Sequence, residues 1–116
     1  MMAMARWLEE NTPHGTVIAV HDIGAVGYMT DRPLLDLAGL ITPEVIPIMT
    51  DAEKLADWMI ERGAEYAIFF PDFSSTYEQL DADARLEQVH CTAYAWTQAA
   101  GLKNMCAYLL DDGLHP

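Results

Sequence analysis

Apolar residues along this chain alternate between helical and strand-like spacing, and the changes of period mark out its elements. Ala3 to Asn11 carries Trp7 and Leu8 as anchors with Glu9 and Glu10 facing away, the pattern of a short helix. Asn11-Thr12-Pro13-His14-Gly15 ends it, because proline cannot continue a helix and glycine favours a turn. Thr16 to His21 is an apolar run rich in β-branched residues, which predicts a strand covered on both faces. Arg32-Pro33 restarts the chain, Leu34 to Leu37 predicts a second strand, and Ala38-Gly39-Leu40 turns out of it. Thr42-Pro43-Glu44 predicts a single helical turn that Pro47 stops.

The second half repeats the alternation. Thr50-x-x-Glu53 has the form of a capping box, and Ala52, Leu55, Ala56, Met59 and Ile60 recur on one helical face until Gly63 closes the helix. Tyr66 to Phe70 predicts a buried strand ended by Pro71. Ser75-x-x-Glu78 predicts another capped helix running towards Glu87, with Leu80 and Ala84 inward. Gln88 to Trp96 and Lys103 to Leu110 predict two antiparallel strands joined through Ala99-Ala100-Gly101. The expected fold is α/β: a small two-layer or three-layer sheet, partly parallel, with a C-terminal antiparallel strand pair. Cys91 and Cys106 then lie on neighbouring strands, and they share a face only if the two residue numbers of each pair sum to an odd value. A disulfide is geometrically possible in that register, and two buried thiols are the favoured expectation.

Composition narrows the class. The 116 residues, 52% of them apolar, suit one soluble domain spanning 1–116. No apolar run approaches the roughly 18 to 20 residues of a membrane span, and the first residues lack the basic head and apolar core of a signal peptide. A chain opening on an amphipathic stretch is expected to be a fragment of a longer protein. Eighteen acidic against six basic side chains give a net charge of −12, and ten of the acids fall between Asp51 and Glu87. Such a surface repels phosphate backbones and anionic lipid, so nucleic acid is excluded as a partner class.

Candidate chemistry is sparse. Asp22-x-Gly24-x-x-Gly27 after a strand has the outline of a dinucleotide fingerprint, but Asp22 stands where a glycine must approach the pyrophosphate. A phosphoacceptor site would use Asp22, Asp72 and Lys103, yet His21 replaces the second acid of the magnesium-binding pair. His14, His21, His90 and His115 lack metal-ligand spacing, and neither CxxC nor GxSxG occurs. No catalytic residue, metal ligand or cofactor is therefore assigned. Asp22, Tyr28 and Asp36 are the candidate ligand-binding residues, since strand ends in α/β sheets form crevices. The competing reading makes Asp22, Gly24, Gly27 and Gly39 a turn signature, with aspartate capping and glycine bending.

One stretch resembles a known family. His21 to Met29 followed by Arg32 to Leu40 fits the pattern D-x-G-x-x-G-Y … D-x-x-G-L, carried by Asp22, Gly24, Gly27, Tyr28, Asp36, Gly39 and Leu40. It is similar to the soluble carboxyl-terminal region of polytopic GT-C type glycosyltransferases, which include dolichyl-phosphate-mannose protein mannosyltransferases and mycobacterial arabinofuranosyltransferases. Trp7-Leu8-x-x-Asn11-Thr12-Pro13 fits the segment leading into that strand, so the match covers roughly residues 7 to 45. The resemblance implies an accessory domain on the extracytoplasmic face of the membrane, partnered by the membrane portion of its parent. It would aid binding of acceptor, glycan or lipid-linked sugar without being catalytic alone. The alternative is a stand-alone carbohydrate or small-ligand binding module.

Overall fold

A computed structural model of the chain describes residues 2–13, 15–21, 33–37, 43–92 and 105–111. Helix α1 (Met2–Asn11) leads into β1 (Val17–Val20), and β2 (Leu34–Asp36) precedes a 3-10 helix, η1 (Pro43–Ile48). There follow α2 (Ala52–Glu61), β3 (Ala64–Phe69), α3 (Ser75–Asp81), β4 (Leu86–Thr92) and β5 (Met105–Leu110). The five strands form one sheet in the order β2-β1-β3-β5-β4. Strands β1, β2 and β3 pair in parallel, while β5 runs antiparallel to both β3 and β4. The expected α/β class, with a parallel part and a C-terminal antiparallel pair, is the observed one.

Strand alternation sorts the core into two layers. Ile18, Val20, Ile68, Phe70, Met105 and Ala107 face α1, where Met4 and Leu8 are fully buried against them. Ala19, Ala67, Phe69, Cys106 and Tyr108 face the opposite side and pack under Leu55, Ala56 and Met59 of α2 and Leu80 of α3. The architecture is thus three-layered, which settles the choice the pattern left open. Each large aliphatic taken fully out of water contributes about 1.5 to 3 kcal/mol. Trp7 joins α1 to the sheet edge by stacking on His90 of β4 at 5.0 Å and meeting Tyr66 edge-on at 5.9 Å.

Local chemistry places the boundaries, in several cases away from the expected residues. The cap of α2 is Asp51, not Thr50: its Oδ1 accepts from the Lys54 N–H at 3.1 Å. Likewise Ser74, not Ser75, caps α3, accepting from the Tyr77 N–H at 3.3 Å. Helix α2 ends through Gly63, whose φ of 79° a side chain would oppose. Pro47 lies inside η1 instead of stopping it, since a short 3-10 turn tolerates the proline φ and forgoes one N–H.

Helix α3 stops at Asp81 and does not run on towards Glu87, and Ala84 is exposed, not inward. The Asp83 carboxylate accepts from the Arg85 N–H at 2.9 Å and from its Nε at 3.1 Å, folding a turn that launches β4. The Arg85 guanidinium also reaches Asp57 on α2, clamping this turn to the helix layer. Hydrogen bonding from Arg85 holds the Asp83 carboxyl below the usual carboxylate range, against the opposing effect of burial.

Candidate functional site

The carboxyl ends of β1, β2, β3 and β4 share one edge of the sheet, together with the amino end of β5. Strand β2 lies on one side of β1 and β3 on the other, so the edge between β1 and β3 is a topological switch point. His21 sits there directly after β1, its N–H donating to the Ile68 carbonyl at 3.0 Å. Its ring packs on Phe73 at 4.7 Å and on Tyr77 at 5.2 Å. Tyr77 stacks on Phe69 at 5.0 Å, and Phe69 stacks on Tyr108 at 4.5 Å with the planes 3° apart. A file of aromatic rings therefore runs from β1 to β5 beneath α3. Phe73, at one end, is 52% exposed.

At the far end of this file the Tyr108 hydroxyl donates to Asp81 at 2.5 Å and accepts from the Gln88 amide at 3.3 Å. Burial and the Asp81 hydrogen bond both push the tyrosine well above its ordinary range. The hydroxyl is thus held as a neutral donor and orients the Asp81 carboxylate.

Asp81 and Gln88 border a cavity of about 350 Å³, lined also by Pro71, Asp72, Glu78 and the two cysteines. Pro71 and Asp72 come from the turn after β3, Glu78 and Asp81 lie one helical turn apart on α3, and Gln88 and Cys91 come from β4. Three carboxylates and an amide line the hollow, and among the described residues no basic side chain joins them. Such a lining accepts hydrogen bonds from hydroxyls and attracts cations, and it repels phosphate.

The wall between β4 and β5 is a disulfide joining Cys91 and Cys106, with Cα atoms 4.1 Å apart. The expectation of two free thiols is therefore overturned, and the reason lies in the register. Leu86, Glu87 and Gln88 pair with Leu110, Leu109 and Tyr108, an even sum that would put the cysteines on opposite faces. A bulge at Val89 then shifts the ladder, so that His90, Cys91 and Thr92 pair with Ala107, Cys106 and Met105. The sum becomes odd and the two sulfurs meet.

The family model described as Domain of unknown function (DUF8728) matches residues 1–108. The chain belongs to that family. No curated protein and no solved structure matches it.

Within this family member, the residues singled out from sequence fall mostly away from the cavity. Asp22, Gly24, Gly27, Tyr28 and Gly39 lie outside the described residues. Asp36 closes β2, its backbone in register with Val20 of β1, so it ends at the same sheet edge as His21. Among the described residues, no group of three or more His, Cys, Asp or Glu side chains is arranged to hold a metal ion, and no helix is long and apolar enough to cross a membrane. Sequence reasoning missed Glu78 and Asp81 as partners in a cavity, although their i, i+3 spacing places them on one helix face.

Proposed function

We propose that this domain is an extracytoplasmic accessory domain of a membrane glycosyltransferase that uses lipid-linked sugar donors. The observation that carries the reading is the run from His21 to Leu40, with its Asp22, Gly24, Gly27, Tyr28, Asp36 and Gly39 signature. The Cys91–Cys106 disulfide supports it independently, because such bonds persist in oxidising compartments outside the cytoplasm. No catalytic role is assigned to Asp22 or Asp36; the chemistry belongs to the membrane portion of the parent protein. The acid-lined cavity fits the hydroxyls of an acceptor glycan better than the phosphate of a lipid-linked donor.

The test has two arms. In intact cells expressing the parent protein, a reporter cysteine placed at exposed Glu9 is expected to react with a membrane-impermeant maleimide. Labelling only after permeabilisation would defeat the reading, as would a parent gene lacking membrane spans.

A second reading, a stand-alone carbohydrate or small-ligand module, is favoured specifically by the cavity, since its carboxylates and amide suit the hydroxyls of a sugar. Titration with neutral oligosaccharides should move the amide resonances of Asp72, Glu78 and Gln88 in NMR spectra. Unchanged spectra at millimolar sugar would count against it.

A further inference from the structure

The disulfide is placed differently from a bond sealed in a core. Both cysteines line the cavity, and β4, which carries Cys91, is an edge strand. Cys106 is 3% exposed, whereas Cys91 is only half-buried. Of the two cysteines, Cys91 is therefore the more accessible to a reagent in the cavity. The same cavity is lined by Asp72, Glu78 and Asp81, and among the described residues no basic side chain lines it to offset them. Thiol–disulfide exchange proceeds through an anionic thiolate, so the charge of the rest of the incoming thiol decides how strongly this lining opposes its approach.

We propose that the cavity is an entry port for thiol–disulfide exchange at Cys91, open to small uncharged or cationic thiols and guarded against anionic ones by Asp72, Glu78 and Asp81. The incoming thiolate attacks the Cys91 Sγ. The new sulfur–sulfur bond forms as the Cys91–Cys106 bond breaks, and the electron pair leaves on the Cys106 Sγ, which takes a proton from water. A second thiolate attacks the bound thiol's sulfur in the mixed disulfide and releases Cys91, which is protonated in turn. The balance is one protein disulfide reduced and two small thiols oxidised to their own disulfide. This inference is independent of the glycosyltransferase reading, since it needs only the cavity and the bond.

The experiment uses the oxidised full chain under native conditions. Reduction is followed by acid quench, alkylation and mass spectrometry, with cysteamine, 2-mercaptoethanol or mercaptoethanesulfonate at equal thiolate concentration. Each rate is divided by that of the same thiol on the uncharged hydroxyethyl disulfide. At low ionic strength the expected order is cysteamine, then mercaptoethanol, then the sulfonate, spread over about tenfold and collapsing in high salt. Asp72→Asn and Glu78→Gln, made separately, should each speed the sulfonate most, mercaptoethanol less and cysteamine least, narrowing the spread between them. Equal normalised rates for the three thiols at low salt would overturn the proposal. So would reduction that proceeds only as fast as global unfolding, which would show that the cavity gives no access; the salt series on the unaltered chain decides this even if a variant fails to fold.

Discussion

Cys91 stands opposite Cys106 because Val89 is left out of the ladder between β4 and β5. The same displacement turns His90 to the α1 side, where its ring stacks on Trp7, and Cys91 to the α3 side. One unpaired residue thereby determines which of two neighbouring side chains meets which layer.

Deleting Val89 should accordingly leave the disulfide intact. Gln88 and His90 would then be consecutive and pair with Tyr108 and Ala107 without a bulge, keeping Cys91 opposite Cys106. Mass spectrometry after alkylation without reductant should find no modified cysteine. Two alkylated thiols would show that the bulge bends the strand in a way the bond needs.

The bond closes a loop between positions 15 residues apart. Replacing both cysteines by alanine should cost about 3 kcal/mol, mostly by freeing the unfolded chain. Urea unfolding should give the same loss for the unaltered chain in dithiothreitol, and a loss below about 1 kcal/mol would mean the unfolded ensemble is already compact there.

The two helix caps offer a paired comparison. Ser74→Ala and Asp51→Ala each remove an acceptor from a helix N-terminus and should cost about 1 kcal/mol. Ser75→Ala should be nearly neutral, because Ser75 is exposed and already helical. Thermal melts of the variants check this, and equal losses at Ser74 and Ser75 would return the cap to the capping-box position.

These caps show how far the sequence was legible. The periodicity of Leu55, Ala56 and Met59, and the apolar runs at Ile18 and Ile68, suffice for helices, strands and their alternation. The two capping boxes carried the right residue types one position off, early at Thr50 and late at Ser75, since Thr50 and Asp51, like Ser74 and Ser75, are adjacent competitors and only geometry selects between them. The overlong helix towards Glu87 failed because Arg85 satisfies Asp83 and Asp57 at once, a contact across the helix layer that no local pattern carries. The cavity was illegible for the same reason: it joins a turn, a helix and two strands. The bulge was hidden because β-branched Val89 suits a regular strand position, and only the pairing shows that it is left out of the ladder.

Stability should fall at both pH extremes for reasons that can be separated. The Asp83 carboxyl titrates below its unfolded value, so its contribution is full above that value and is lost as pH falls through the folded one. Tyr108 titrates above its unfolded value near 10, so its contribution is full below pH 10 and is lost as pH rises beyond. In urea midpoints measured against pH, Asp83→Asn should flatten the acid limb and Tyr108→Phe the alkaline limb, each at a cost of about 1 kcal/mol at neutral pH. A Tyr108→Phe variant with an unchanged alkaline limb would assign that limb to other groups.

Strand β5 follows β4 in the sequence, yet it lies between β3 and β4. Strand β4 can therefore emerge from the ribosome or translocation channel with no partner to pair with, and it joins the sheet only after residues 105–111 follow it. Assembly of the sheet waits on β5, so a chain cut before Met105 loses both β4 and β5 from it, and exposes the edge of β3 as a sticky template for other chains.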